Sequence, residues 1–148
     1  MSGQELERYS KQILIKNIGG VGQKKLKSSK VLVIGLGGLG SPVVTHLSSS
    51  GIGEIGLVDN DKVDLSNLQR QFIHSVDTIG LNKTENIKIF IDRLNPNSII
   101  YNYSTDAKTA EIIEIISQYD VVIDCTDNYK TRFKVADACQ KYTKPYIL

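Results

Sequence analysis

The sequence predicts an α/β fold in which a mostly parallel sheet is doubly wound, with helices covering both faces. Short apolar segments rich in β-branched residues alternate with segments whose apolar residues recur at helical spacing. A glycine-rich loop joins the first apolar segment to the next helical one. The 148 residues correspond to one domain, and a content of 41% hydrophobic and 23% charged residues is that of a folded, soluble protein.

Five segments are predicted strands because each is short, β-branched and mostly apolar, as strands buried on both faces are. They are Lys30–Gly35, Glu54–Val58, Ser98–Tyr103, Asp120–Cys125 and Pro145–Leu148. The last one ends with the chain and has no covering helix after it, so we expect a fold truncated at its C-terminus. We divide the chain into an N-terminal helical segment, residues 1–29, and the βα units of residues 30–148.

Helices are predicted where apolar residues recur at i, i+3, i+4 and i+7. An N-terminal helix is expected around Gln4–Lys16, broken by Gly19, Gly20 and Gly22. Three further helices are indicated by the stripes Ile87/Phe90/Ile91/Leu94, Ile112/Ile115/Ile116/Tyr119 and Val135/Ala138/Cys139/Tyr142.

Composition excludes several functional classes. A net charge of +2 is too small for a domain that coats nucleic acid. No apolar run approaches the roughly 20 residues of a membrane span, and the charged start lacks a secretory signal's apolar core. Cys125 and Cys139 form neither a disulfide framework nor a zinc pair and are expected in the core; His46 and His74 lack ligand partners. We therefore expect a cytoplasmic domain without zinc, nucleic acid or membrane contact.

The glycine loop indicates a Rossmann-like nucleotide site. Gly35, Gly37 and Gly40 fit the pattern G-x-G-x-x-G between a strand and a helix. Glycines allow the backbone to turn tightly and approach a phosphate, whose charge the helix N-terminus favours. Asp59 ends the second strand about 20 residues later, where a carboxylate can accept hydrogen bonds from ribose hydroxyls. The alternative is a glycine turn that serves only helix–strand packing.

The polar segment after the second strand favours a triphosphate over NAD, the commonest ligand of such a loop. Asp59–Gln71 reads DNDKVDLSNLQRQ and places Asn67 and Arg70 one helical turn apart, with Lys83 soon after. The additional cations suit the larger charge of a triphosphate. The alternative for each cation is a solvated surface charge.

Carboxylates after the fourth strand predict a magnesium site. The segment Asp124–Asn128 reads DCTDN, and its acids are expected to face the same crevice and hold Mg²⁺ together with phosphates. Asp61 and Asp64, in the preceding loop, are weaker candidates that could assist. The alternative for Asp127 is an N-cap of the helix that begins near Asn128.

Taken together, these residues resemble the ThiF/MoeB/HesA family, ATP-dependent adenylyltransferases that activate ubiquitin-like sulfur-carrier proteins and are related to ubiquitin-activating enzymes. The combination of SNLQRQ with DCTDN is the most specific part. The resemblance runs through RYSKQI (8–13), VLVIGLGGLGSP (31–42), GIGEIGLVDNDKVDLSNLQRQ (51–71), GLNK (80–83), LNP (94–96) and DCTDN (124–128).

The resemblance implies that residues 1–148 are the N-terminal portion of an ATP-binding adenylation domain. The carboxylate of the carrier's C-terminal Gly-Gly tail would attack the α-phosphorus of ATP, giving carrier–AMP and pyrophosphate. No base is needed, because the carboxylate is already ionised at neutral pH. The implied roles are Gly38 against the nucleotide, Asp59 on the ribose, Asn67, Arg70 and Lys83 on the phosphates, and Asp127 on Mg²⁺.

The sequence departs from the family pattern at its start. Members often carry a second arginine in the RYxRQ segment, offered to the ATP of the neighbouring subunit in a homodimer. Here Lys11 occupies that position and Arg8 is retained, so contact in trans would lose the bidentate fork. The family's C-terminal half, with its zinc cysteines and much of the carrier surface, is missing, so we expect these 148 residues not to adenylylate a carrier.

Two rival functions stay open. An NAD(P)-dependent oxidoreductase would use the same loop, although no His–Asp or Tyr–Lys pair is evident. A non-catalytic nucleotide-binding interaction module would keep the fold without turnover. Whether the carrier serves thiamine or molybdopterin synthesis is also open, with RYSKQILI slightly closer to the thiamine type.

Overall fold

The fold is an α/β fold with a five-stranded parallel sheet, which confirms the predicted class. A computed structural model describes residues 1–106 and 110–148, with the side chain of residue 110 left out. The strand order is β3-β2-β1-β4-β5, and every pairing is parallel. The strands are β1 (Lys30–Ile34), β2 (Glu54–Val58), β3 (Ile99–Tyr103), β4 (Val121–Asp124) and β5 (Tyr146–Ile147).

Helices cover both faces of the sheet. They are α1 (Gly3–Arg8), α2 (Ser10–Ile13), α3 (Gly19–Ser28), α4 (Gly40–Ser50), α5 (Lys83–Leu94), α6 (Ala110–Ser117) and α7 (Tyr129–Lys141), with 3₁₀ turns at Leu65–Asn67 and Val76–Thr78. The predicted stripes lie on α5, on α6 with its following turn, and on α7 with its C-cap. In the described part of the chain, no helix is long and apolar enough to cross a membrane.

The sheet separates two hydrophobic clusters, because successive side chains of a strand point to opposite faces. Val31 and Val33 of β1 pack towards α4 and α5, whereas Leu32 and Ile34 of the same strand pack towards α6 and α7. All four are buried. This two-sided burial explains why β1 is apolar nearly throughout rather than alternating.

The predicted single N-terminal helix is wrong in extent. The chain bends at Tyr9, which caps both α1 and α2, and the second helix ends at Ile13. The bend lets Tyr9 bury its ring, and its hydroxyl accepts a hydrogen bond from Asn95 Nδ2 at 2.9 Å. The glycines at 19, 20 and 22 do not break a helix but lie in the first turns of α3, which Gly19 enters with a φ of +56°.

Side-chain amides fasten this N-terminal segment to the end of α4. Gln12 Nε2 and Gln23 Nε2 both donate to the carbonyl of Ser50, at 2.8 and 2.9 Å. Asn95 Nδ2 also donates to the carbonyl of Ser48 at 2.7 Å. Both carbonyls belong to the last turn of α4; that of Ser48 also accepts from the N–H of the C-cap Gly51, whereas that of Ser50 has no backbone donor among the described residues. The segment of residues 1–29 therefore caps the α4 C-terminus as it packs.

Replacement of Gly56 should test the packing of β2. An added Cβ would lie 2.6 Å from Tyr119 Cζ and 2.7 Å from Leu32 Cδ1, closer than packed atoms tolerate. We expect Gly56→Ala to lower the free energy of unfolding by about 1–3 kcal/mol. Gly20→Ala is the control: a Cβ there meets no atom within 4 Å, so stability should hold or rise by up to about 1 kcal/mol. Urea unfolding distinguishes them, and equal midpoints would contradict this packing.

Candidate functional site

A crevice of about 720 Å³ opens at the carboxyl ends of the strands. It is lined by the glycine loop after β1, the loops after β2, β3 and β4, and the first turns of α7. β1 has β2 on one side and β4 on the other, so the chain reverses its direction of winding at this strand. Such a switch point in a parallel sheet is where α/β proteins bind ligands.

The glycines of the loop fall into two groups. Gly35 has a φ of +84°, and a Cβ there would lie 2.9 Å from the carbonyl carbon of Cys125 and from the nitrogen of Thr126. A Cβ on Gly40 would collide with the carbonyl oxygen of Gly35. Helix–strand packing alone therefore requires Gly35 and Gly40. At these two positions the alternative explanation, a glycine turn that serves only packing, is sufficient.

Packing does not account for Gly37 and Gly38. A Cβ on Gly37 would come no closer than 3.8 Å to Gln71 Nε2, and one on Gly38 would meet only the flexible side chain of Arg70 at 3.4 Å. Within the described chain, the N–H groups of Gly37 and Gly38 donate no hydrogen bond. They precede the N-terminus of α4, so bare donors and the helix dipole coincide, which is an arrangement that favours a bound anion.

Asp59 ties the glycine loop to the end of β2. Its Oδ2 accepts a hydrogen bond from the N–H of Leu36 at 2.7 Å, and its Oδ1 accepts one from the N–H of Asp61 at 2.8 Å. The side chain is half-buried and lines the crevice. Each carboxylate oxygen can accept a further bond, so the group can still bind ribose hydroxyls.

The predicted phosphate-binding residues lie around the same crevice. Asn67, Arg70 and Lys83 all line it. The 3₁₀ turn at Leu65–Asn67 positions the first two, since Arg70 Nη1 donates back to the carbonyl of Ser66 at 3.1 Å. The aliphatic part of Arg70 lies over Gly38. The structure therefore brings together side chains that are up to 16 residues apart in the chain, from Asn67 to Lys83.

Lys83 is buried and paired with Asp61. Only 5% of Lys83 is exposed, and its Nζ lies 2.7 Å from Asp61 Oδ2. A buried ammonium needs such a partner because its desolvation is otherwise uncompensated. Asp61 lies in the crevice as predicted, but it neutralises Lys83 there. Asp64 lies outside the crevice lining and caps the 3₁₀ turn; its hydrogen bonds from Ser66 lower the pKa of its carboxyl.

The two acids of DCTDN have different surroundings, which corrects the expectation that both face the crevice. Asp124 is 3% exposed. Its carboxylate accepts hydrogen bonds from the N–H and Oγ1 of Thr126 and from the hydroxyl of Tyr146. Asp127 is exposed and lines the crevice. Its carboxylate accepts no hydrogen bond within the described residues.

Asp127 is not the cap of α7, so that alternative is wrong. Asn128 is the N-cap, and its Oδ1 accepts bonds from the N–H and the hydroxyl of Thr131 at 2.9 and 2.7 Å. A crevice-facing carboxylate without a structural role fits Mg²⁺, which binds one or two carboxylates together with phosphates. In the described ranges there is no cluster of three His, Cys, Asp or Glu residues that could hold a metal ion. A Mg²⁺ site made of one or two carboxylates and phosphates does not require such a cluster.

Two predicted residues lie elsewhere and others were missed. Arg8 Nη1 donates to the carbonyl of Leu94 at 2.9 Å, and Lys11 is exposed on α2, so neither lines the crevice of its own chain. Gln71 and Arg132 line the crevice, although the sequence analysis gave them no role. Gln71 closes the quoted SNLQRQ motif, whereas Arg132 resembles an ordinary helical surface charge.

The cysteines do not offer a nucleophile. Cys139 is buried and Cys125 is half-buried against the crevice. Burial raises the pKa of both thiols to about 11, with a further contribution from the charge of Asp124. They are therefore thiols, not thiolates, at neutral pH.

His74 is buried, and its environment has a consequence for stability. Its Nδ1 accepts a hydrogen bond from Asn86 Nδ2 at 2.6 Å, and the ring is buried. Burial, with a smaller contribution from Lys83, lowers the pKa of His74 to about 4. The unfolded chain, with a pKa near 6.5, then binds this proton more readily than the folded chain does.

Stability should therefore fall as the pH drops from about 6.5 to about 4. We expect His74 to account for about 2 kcal/mol of the loss between pH 7 and pH 4.5. In His74→Gln that part of the pH dependence should disappear. Urea unfolding of both chains at the two pH values measures it. An unchanged slope in His74→Gln would contradict the buried neutral imidazole.

The chain has curated relatives that are longer than itself. A probable molybdopterin-synthase adenylyltransferase of Porphyra purpurea is 44% identical over 144 residues, covering 97% of this chain and 38% of the relative. An adenylyltransferase and sulfurtransferase MOCS3 of Drosophila sechellia is 42% identical over 147 residues, 99% of this chain and 32% of the relative. The chain thus spans about a third of the length of these relatives.

The fold is shared with solved structures as well. The crystal structure of E. coli MccB with ATP superimposes with a TM-score of 0.85 at 33% identity, over 94% of this chain and 43% of that one. The model of the ThiF family matches residues 9–148, which is nearly the whole sequence. The chain therefore belongs to the ThiF family.

Proposed function

We propose that the crevice binds ATP with Mg²⁺ and serves the adenylylation of the C-terminal carboxylate of a ubiquitin-like sulfur-carrier protein. The observation that carries the proposal is the convergence of three anion-binding features on one crevice. These are the bare N–H groups of Gly37 and Gly38, the guanidinium of Arg70 and the buried ammonium of Lys83. The names of the curated relatives support the same activity.

In this proposal the residues bind and orient, and no residue transfers a proton. Asp59 binds the ribose, while the glycine loop and the α4 N-terminus hold phosphate oxygens. Arg70 and Lys83 neutralise the charge that builds up as the carrier carboxylate attacks the α-phosphorus and pyrophosphate leaves. Asp127 would hold Mg²⁺, which supplies charge neutralisation on the phosphates when bound. The gain in rate comes from position and electrostatics.

Lys83 must exchange partners for this to happen. In the structure its ammonium is paired with Asp61, of which 65% of the side chain is exposed. A phosphate oxygen can replace that carboxylate, and the released Asp61 would return to water or turn towards the cation. Because Lys83 is buried, its charge needs an anionic partner both with and without ligand. Asp61 is that partner in one state and the phosphate in the other.

Further parts of the function are proposals of the same kind. The name of the Porphyra purpurea relative favours a molybdopterin-type carrier, and the slight similarity of RYSKQILI to the thiamine type gains no support from the relatives' names. That the carrier ends in a Gly-Gly tail stays a prediction. A cytoplasmic homodimer in which Lys11 reaches the partner's ATP stays a prediction. The oxidoreductase alternative is not favoured by these names, and a non-catalytic module would differ only in turnover. Carrier-dependent exchange of pyrophosphate into ATP, measured on the protein at its natural length, distinguishes the proposed adenylyltransferase from both alternatives, because neither of them would show it.

Calorimetry on this chain should show that ATP binds more tightly with Mg²⁺ than without it, and more tightly than NAD⁺. The reason is that Arg70 and Lys83 supply more positive charge than a pyrophosphate bridge needs. AMP is the control, since it offers the same ribose and adenine without the β- and γ-phosphates. Tighter binding of NAD⁺ than of ATP would refute the proposal.

Asp127→Asn should keep metal-free ATP binding and lose the gain that Mg²⁺ provides. The substitution preserves size and hydrogen bonding but removes the charge that the cation needs. In carrier-dependent exchange by the protein at its natural length, the rate should fall roughly 10²–10³-fold. Asp137→Asn, an exposed acid on α7 outside the crevice, is the matched control and should behave as the parent does. Exchange within about threefold of the parent in Asp127→Asn would remove Asp127 from the site.

A further inference from the structure

We propose that Arg132 is a positioning residue that holds the backbone before Asp127 in the orientation that binds Mg²⁺. The inference rests on the proposed function, since it concerns the same cation site. Arg132 lies on α7, one turn after the N-cap, and its side chain is half-buried at the wall of the crevice. Arg132 lies outside the sequence motifs that mark the crevice.

Arg132 donates two hydrogen bonds to one backbone carbonyl. Its Nε lies 3.0 Å and its Nη2 lies 2.6 Å from the oxygen of Thr126. The carbonyl of Thr126 and the nitrogen of Asp127 belong to the same planar peptide unit. A clamp on this oxygen therefore fixes the plane from which the Cα of Asp127, and hence its side chain, departs.

Thr126, whose carbonyl Arg132 binds, is also held from its other side by a network of hydrogen bonds. The N–H and Oγ1 of Thr126 both donate to Asp124 Oδ1, at 2.9 and 2.7 Å. The second oxygen of Asp124 accepts from the hydroxyl of Tyr146 at 2.9 Å. Thr126 thus has its N–H, its side chain and its carbonyl all fixed, and Asp127 is the next residue along the chain.

The clamp is not needed to begin the helix. Asn128 already caps α7 through bonds from Thr131, so the helix start is satisfied without Arg132. Arg132 instead donates two charge-assisted hydrogen bonds to a neutral carbonyl at the crevice edge. Its guanidinium also lies 5.9 Å from the centroid of the Tyr129 ring. These two hydrogen bonds are explained if cation binding requires Asp127 to be held in one orientation.

The test measures how much Mg²⁺ tightens ATP binding to the 148-residue chain, by calorimetry with and without the cation. In Arg132→Gln we expect at least a tenfold loss of that Mg²⁺-dependent gain, with metal-free ATP affinity within about twofold of the parent. Arg132→Lys keeps one donor and should retain an intermediate gain. Lys130→Gln removes an exposed charge from the same helix and should keep the full gain.

The outcomes separate the inference from the proposed function. A parent chain without any Mg²⁺-dependent gain would contradict the proposed function, and the inference with it. A parent with the gain, and an unchanged gain in both Arg132 variants, would overturn the inference alone. Loss of metal-free ATP affinity in Arg132→Gln would also overturn it, because Arg132 would then bind phosphate directly. If thermal unfolding shows that Arg132→Gln is not folded, Arg132→Lys decides by the same two measurements.

Discussion

The parallel arrangement of the sheet is the constraint on which the site depends. All strands point the same way, so every polar loop that follows a strand is delivered to one edge. At β1 the loop must also pass between the end of β4 and the start of α4, and only glycine fits where Gly35 and Gly40 approach the neighbouring backbone. Packing thus fixes the course of the loop at Gly35 and Gly40, whereas the bare N–H groups of Gly37 and Gly38 lie where packing makes no such demand.

Two charged groups of the crevice have partners within the protein. Lys83 is compensated by Asp61, and Asp59 is anchored by two backbone N–H groups. Asp127 is different, because nothing in the described chain compensates it. The motif DCTDN thus contains one buried, hydrogen-bonded acid, Asp124, and one exposed acid, Asp127, for which we propose Mg²⁺ binding.

Much of this was predictable from residue types, and the failures have physical causes. β-branched apolar runs identified the strands, and glycine and acid spacing identified the crevice. The helix break at Tyr9 was not predictable, because it is driven by burial of the ring against Asn95, 86 residues away. Asp124 and Asp127 could not be told apart, since their difference lies in the tertiary hydrogen bond from Tyr146. Arg132 was missed because a clamp on a carbonyl leaves no trace in sequence spacing.

The pairing of a buried Lys83 with an exposed Asp61 has a further consequence for selectivity. The Lys83 ammonium is buried within the protein, so a ligand that binds it does not have to bear the cost of burying it. What the ligand must do is compete with a resident carboxylate held at 2.7 Å. A ligand that carries less negative charge than a carboxylate cannot displace Asp61 from Lys83. When Asp61 is displaced, its exposed side chain is readily rehydrated. With Lys83 as the proposed phosphate ligand, its ion pair with Asp61 would favour strongly anionic ligands over neutral ones of the same shape.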